Sequence, residues 1–142
     1  MTDAYEVIGM HGAELPPELK NLVRSRWMRS LRYGNDYFKL MVPESFYRSY
    51  DAFISTILAK PATWVRLAVL ADDPDVVLGF AVCRSSAAGE ILDYVHVHKD
   101  QRLQGIAKRL MPAGVHTITH LTRTGLTIWG SKRPDWKFDP FA

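Results

Sequence analysis

The chain has 142 residues, with 18 Lys and Arg against 15 Asp and Glu, a formal net charge of +3 at pH 7 and a pI near 9.1. At 47% hydrophobic and 23% charged it is too apolar for a disordered chain, and it holds no apolar run long enough to span a membrane. The mildly basic balance permits an anionic cofactor without demanding nucleic acid, and the lone Cys83 forms no internal disulfide, so one cytoplasmic domain over residues 1–142 is the simplest expectation.

Tyr5–Gly9 is a short apolar run that reads as a first strand. Pro16-Pro17-Glu18 is a helix start, because proline suits the first turn and Glu18 complements the dipole. Leu19, Leu22, Val23, Trp27 and Leu31 then recur at helical spacing. Arg29 and Arg32 are assigned to the opposite side, and Arg26 falls at the edge of the stripe, where a snorkelling side chain is preferred over a substrate contact. Tyr33-Gly34-Asn35-Asp36 ends this helix in the manner of a left-handed C-cap, and Asp36–Val42 reads as an aromatic loop. Pro43 and Glu44 open a second helix with an apolar face of Phe46, Tyr50, Phe53, Ile54, Ile57 and Leu58, ended by Pro61.

Trp64–Leu70 and Val76–Arg84 are β-rich runs separated by Asp72-Asp73-Pro74-Asp75, which predicts an antiparallel hairpin. After a turn at Ala87-Ala88-Gly89, Glu90–His98 reads as a largely buried strand in which Ile91, Asp93, Val95 and Val97 share one parity. A carboxylate on that face needs a partner or a shifted pKa. A helix from Gln104 follows, with Ile106, Ala107, Leu110 and Met111 in one stripe and Lys108 and Arg109 turned away, until Pro112 and Gly114 stop it. Val115–Thr122 alternates as a further strand, Arg123–Ser131 is ambiguous between helix and loop, and Trp136–Phe141 reads as a final edge segment limited by Pro140.

A strand that passes through a basic loop straight into a helix is suited to anions. The helix start leaves backbone N–H groups without intrahelical partners, Gly105 lets the backbone come close, and Arg102 adds a charge that pairs with phosphate. Arg102-Leu103-Gln104-Gly105-Ile106-Ala107 has the form R-x-x-G-x-A, and behind Val95-His96-Val97 it resembles the acyl-CoA-binding motif of the GNAT superfamily of N-acetyltransferases. The flanking His98-Lys99-Asp100-Gln101-Arg102 and Ile106–Met111 are similar as well, while Leu103 stands where many members carry a further glycine.

The resemblance implies a mixed α/β fold of order β-α-α-β-β-β-α-β-(α)-β around a mostly antiparallel sheet. It also implies that Val95, His96 and Val97 meet the pantetheine arm through their backbone, and that Arg102, Leu103, Gln104, Gly105, Ile106 and Ala107 hold the pyrophosphate of acetyl-CoA. In that fold the strands equivalent to Glu90–His98 and Val115–Thr122 splay apart at one end, with the thioester in the gap.

Acetyl transfer to an amine needs a proton acceptor, oxyanion stabilisation and a proton for the departing thiolate. Backbone N–H groups near Val95–Val97 suit the oxyanion. Glu90, Asp93, His96, His98, His116 and His120 are the candidate acceptors. His120, toward the expected splay, is the first choice, with an expected Asp93 partner that would raise its pKa; Asp93 itself is the second. His96, His98 and His116 are read as structural. Many members of the family use a tyrosine beyond the fifth strand as the acid, but no tyrosine follows Tyr94 here, which leaves Ser131 or a water. No metal-ligand spacing and no nucleophile-elbow motif is present.

The leading expectation is therefore transfer of an acetyl group from acetyl-CoA to an amine of unknown identity. The alternatives are a nucleic-acid-binding or base-modifying protein, with Lys20, Arg24, Arg29, Arg32, Lys39, Trp27, Tyr33 and Tyr37 as a basic aromatic surface, or a relative that binds CoA without catalysis. In the family fold the first two helices border the acceptor groove, and here Trp27, Tyr33, Tyr37 and Phe38 line them, which suits a flat or aromatic acceptor, a protein partner or a homodimer.

Overall fold

A computed structural model of the chain describes residues 5–98, 105–120 and 136–142. Strand β1 (Tyr5–His11) leads through a 3-10 turn at Gly12–Glu14 into α1 (Pro17–Gly34), α2 (Asp36–Lys39) and α3 (Pro43–Ala59). Strands β2 (Thr63–Leu70), β3 (Val77–Ser86) and β4 (Gly89–Val97) follow, then α4 (Ile106–Leu110), β5 (Val115–Ile118) and β6 (Lys137–Phe138). The six strands form one sheet in chain order, antiparallel from β1 to β4 and parallel from β4 to β6. Among the described residues no helix is long and apolar enough to cross a membrane.

Prolines set the two long helices. Pro17 and Pro43 occupy first-turn positions, where a missing N–H costs nothing, and α3 ends in extended backbone at Lys60, the residue before Pro61. One face of the sheet (Val65, Leu67, Phe80, Val82, Tyr94) packs on Val23, Trp27 and Leu31 of α1 and on Phe46, Ile54 and Leu58 of α3. The other face (Ala68, Ala81, Cys83, Leu92, Val97) packs on Ile106 and Leu110 of α4. Side-chain alternation along β2 and β3 accounts for this division.

Several expectations are corrected. Arg32 is not on the outer side of α1: its guanidinium is buried over the rings of Phe46 and Tyr47 and donates to the Met41 carbonyl. The rings of α3 draw it inward, and stacking lets a guanidinium be buried with weak hydration loss. Asn35 is extended, with φ −133°, rather than left-handed, because its side chain accepts from the N–H groups of Tyr37 and Phe38 and so starts α2. Residues 36–39 are thus a helical turn, not a loop.

The single parity assigned to Ile91, Asp93, Val95 and Val97 fails at a bulge. Leu92 pairs with Cys83 while Tyr94 pairs with Val82, so Asp93 is an extra residue and the alternation flips across it. Tyr94 then joins the α1–α3 core, whereas Leu92, Val95 and Val97 face α4. Helix α4 is little more than one turn, with Met111 already extended, and β5 stops at Ile118. The Arg123–Ser131 segment and the end of the Val115–Thr122 expectation lie outside the described residues.

Candidate functional site

Beyond its pairing with Val115, Thr117 and Ile118 through Glu90, Ile91 and Leu92, β4 runs on to Val97 without β5. Among the described residues the last backbone-to-backbone link is the Thr119 N–H donating to the Leu92 carbonyl at 3.1 Å. Among the described residues the two strands therefore part at the Asp93 bulge, and His120 stands at the fork.

Asp93 is fully buried, and its charge is met at once. Arg84 donates Nε to Oδ2 at 2.6 Å and Nη2 to Oδ1 at 2.8 Å, a bidentate pair, and Thr119 Oγ1 donates to Oδ1 at 2.9 Å. His120 Nδ1 lies 2.9 Å from the same Thr119 hydroxyl. A hydroxyl has one proton, and a carboxylate is acceptor only, so the Thr119 proton goes to Asp93 and its oxygen accepts from Nδ1–H. That tautomer leaves Nε2 with its lone pair.

Burial lowers the His120 pKa below 6.5, against the opposing pull of the Asp93 charge and its backbone carbonyl. The expected upward shift is thus reversed: burial outweighs the Asp93 charge and carbonyl, and the Arg84 charge adds to the lowering. The imidazole also meets Trp27, Tyr50 and Phe53 at centroid distances of 5.8, 5.9 and 5.4 Å.

His120 and Thr119 line a cavity of about 440 Å³ whose other walls are Asn35, Tyr37, Phe38, Tyr50, Phe53, Phe138, Pro140 and Phe141. Burial raises the Tyr50 pKa, so its phenol stays protonated at neutral pH. A second concavity of about 510 Å³ lies on the opposite face beside Trp64, Arg66, Cys83 and Glu90. It lacks His120, and burial pushes the Cys83 thiol up to about 12, out of nucleophilic range.

Of the other candidate bases, Glu90 and His116 fall at the paired end of β4 and β5, away from the fork. Glu90 accepts from Ser85, and His116 Nδ1 contacts Thr117 Oγ1 at 2.9 Å. His96 packs on Phe80 at 5.7 Å. Val95, His96 and Val97 form the part of β4 beyond the fork. Arg102, Leu103, Gln104 and Ser131 lie outside the described residues. Gly105, which precedes Ile106 and Ala107, caps α4 with φ +75°, and the space a Cβ would enter is open, so a group can approach this backbone closely.

Sequence reading missed Arg84 and Thr119, which read as ordinary strand residues. Their only trace was the expectation that Asp93 needed a partner. Three members of the expected basic aromatic surface are otherwise placed: Trp27 and Arg32 are buried, and Arg24 is engaged by Asp51, Asn21 and Ser55. Arg26, as preferred, is structural, donating to the Val77 carbonyl at 2.8 Å.

No family model and no curated protein sequence matches the chain. Solved structures do. An acetyltransferase so described from Clostridium acetobutylicum, with acetyl-CoA, superposes at a TM-score of 0.59 and 11% identity over 92% of this chain and 89% of its own. The PaiA N-acetyltransferase of Thermoplasma acidophilum in complex with coenzyme A gives 0.53 and 15% over 75% and 67%. A protein described as a GNAT family acetyltransferase from Staphylococcus aureus gives 0.50 and 13% over 73% and 82%. At these identities the likeness is one of fold.

Proposed function

We propose, from the premise that this chain has the GNAT acetyltransferase fold, that it is an acyl-CoA-dependent N-acetyltransferase moving an acetyl group from acetyl-CoA to an amine. The observation that carries the reading is the parting of β4 and β5 at the Asp93 bulge with a neutral imidazole standing at the fork.

In this reading the extended backbone of Val95, His96 and Val97 meets the pantetheine arm. The segment from Arg102 through Leu103, Gln104, Gly105 and Ile106 to Ala107 offers N–H groups to the pyrophosphate. Support for the second part is the left-handed Gly105 with open space above it. Because α4 is so short, its dipole adds little, and the N–H groups and Arg102 carry the attraction. Acetyl-CoA supplies an activated carbonyl.

His120 Nε2 takes the proton of the attacking amine, and Thr119, Asp93 and Arg84 hold the ring in the tautomer that leaves Nε2 free. Asp93 thereby becomes a positioning residue rather than the base. A backbone N–H of Val95–Val97 meets the oxyanion, and a proton returns to the thiolate from His120 or water.

The test is calorimetric titration with acetyl-CoA, with duplex and single-stranded nucleic acid as controls, followed by a thiol-release assay with amines. Saturable acetyl-CoA binding with turnover that His120→Ala abolishes supports the reading. Binding without turnover of any amine makes the chain a CoA binder, and nucleic-acid binding without acetyl-CoA binding overturns it.

A further inference from the structure

Among the described residues the cavity at His120 is lined by rings and by no charged side chain. Tyr37 and Phe38 come from α2, Tyr50 and Phe53 from α3, and Phe138 and Phe141 from the segment after β5. The rings meet edge to face or tilted: Phe38 lies 5.2 Å from Tyr50, and Tyr50 lies 5.6 Å from Phe53. Among the described lining residues there is no Asp, Glu, Lys or Arg, and the polar groups are Asn35, the tyrosine hydroxyls, Thr119 and His120. Asp93, a carboxylate behind the floor, is already engaged by Arg84 and Thr119.

The walls therefore choose between amines. An amine carrying a second ammonium would bring a charge that no described wall residue neutralises, and leaving it desolvated is costly. A single ammonium is met by ring faces until it yields its proton, and an aromatic tail buries apolar area against rings that already sit in preferred geometries. A volume of about 440 Å³ falls inside the small-molecule range of roughly 300–1,000 Å³. Tyr37 and Phe141, at 72% and 94% exposed, stand at the rim, where a ring would enter.

We infer that the acceptor is a monocationic primary amine borne by an aromatic or heteroaromatic ring, seated in this cavity with its nitrogen toward His120. This rests on the acetyltransferase reading. The amine nitrogen forms the new N–C bond, the C–S bond of the thioester breaks with its electron pair on sulfur, and the displaced proton passes from nitrogen to His120 Nε2 and on to the thiolate.

Acetyl transfer is to be measured with phenethylamine and tryptamine, hexylamine as the ring-free control, and spermidine and kanamycin as polycations, with acetyl-CoA affinity determined separately. The aryl amines are expected to exceed hexylamine by about tenfold or more in kcat/KM, the scale on which apolar pocket contacts discriminate, and to exceed the polycations further. Tyr37→Ala and Phe53→Ala, which remove rings from the cavity wall, should lower aryl-amine kcat/KM by a clearly larger factor than hexylamine kcat/KM and leave acetyl-CoA affinity unchanged; an equal fall for both amines overturns the inference. Acetyl-CoA binding with spermidine, kanamycin or hexylamine as the better acceptor overturns the inference and spares the acetyltransferase reading, as does binding with none of the five accepted. Failure to bind acetyl-CoA overturns both.

Discussion

At the scale of single residues, the site depends on one hydroxyl. Thr119 links the His120 imidazole nitrogen to the Asp93 carboxylate, beside the ring's bond to the Asp93 backbone carbonyl, so Thr119→Val should loosen the hold on the ring's tautomer. The expected result is a kcat lowered by about tenfold or more at unchanged acetyl-CoA affinity, with Thr119→Ser restoring most of it. A uniform fall in both variants would make Thr119 merely structural. Arg84→Ala leaves a buried carboxylate without its cation and should cost about 3–5 kcal/mol in chemical denaturation. Cys83, by contrast, is inert: with its thiol pushed up to about 12 by burial, reaction with a disulfide reagent at pH 8 should be slow in the native protein and fast in denaturant.

At the scale of elements, the junction into α4 and the start of α2 make separable predictions. Gly105 has φ +75° with open space where a side chain would project, so Gly105→Ala strains the backbone by about 1 kcal/mol without filling the approach. Gly105→Glu adds bulk and negative charge at the proposed pyrophosphate site. Titration should find acetyl-CoA binding weakened in Gly105→Ala and lost in a folded Gly105→Glu; equal affinities would remove the loop from the site. Asn35→Ala removes the side chain that caps α2 and should cost about 1 kcal/mol of stability, while loosening Tyr37 and Phe38 raises aryl-amine KM more than acetyl-CoA KM.

Over the whole molecule, the lowered His120 pKa ties stability to pH. The unfolded chain binds a proton near 6.5 and the folded chain only at lower pH, so stability is fully present above 6.5 and is lost as pH falls toward the folded value. In denaturant titrations across that window the difference between the wild type and His120→Gln should therefore shrink as the pH is lowered. Turnover has the same sign: its acid limb should lie below 6.5, where the imidazole becomes protonated.

The sequence by itself determined the two long helices and the strands from β1 to β4, in their order. Prolines 16, 17, 43 and 61 bound the long helices, the apolar spacing of Val23, Trp27, Leu31, Phe46, Ile54 and Leu58 gave their buried faces, and the Asp-rich turn before Val77 gave the hairpin. These are local signals, carried by backbone sterics and periodicity within one segment. The family resemblance also put His120 opposite Asp93, since it makes their two strands neighbours that splay apart. Only the tertiary structure decided how they meet. A bulge is fixed by the partner strand, so the flip at Asp93 could not be read along β4 alone. For the same reason Arg84, Thr119 and the neutral state of His120 were invisible until β3, β4 and β5 were in register. Arg32 was drawn inward by rings of α3, a contact that no periodicity within α1 encodes. The ring-walled cavity, too, exists only because α2, α3 and the segment after β5 converge on one side chain.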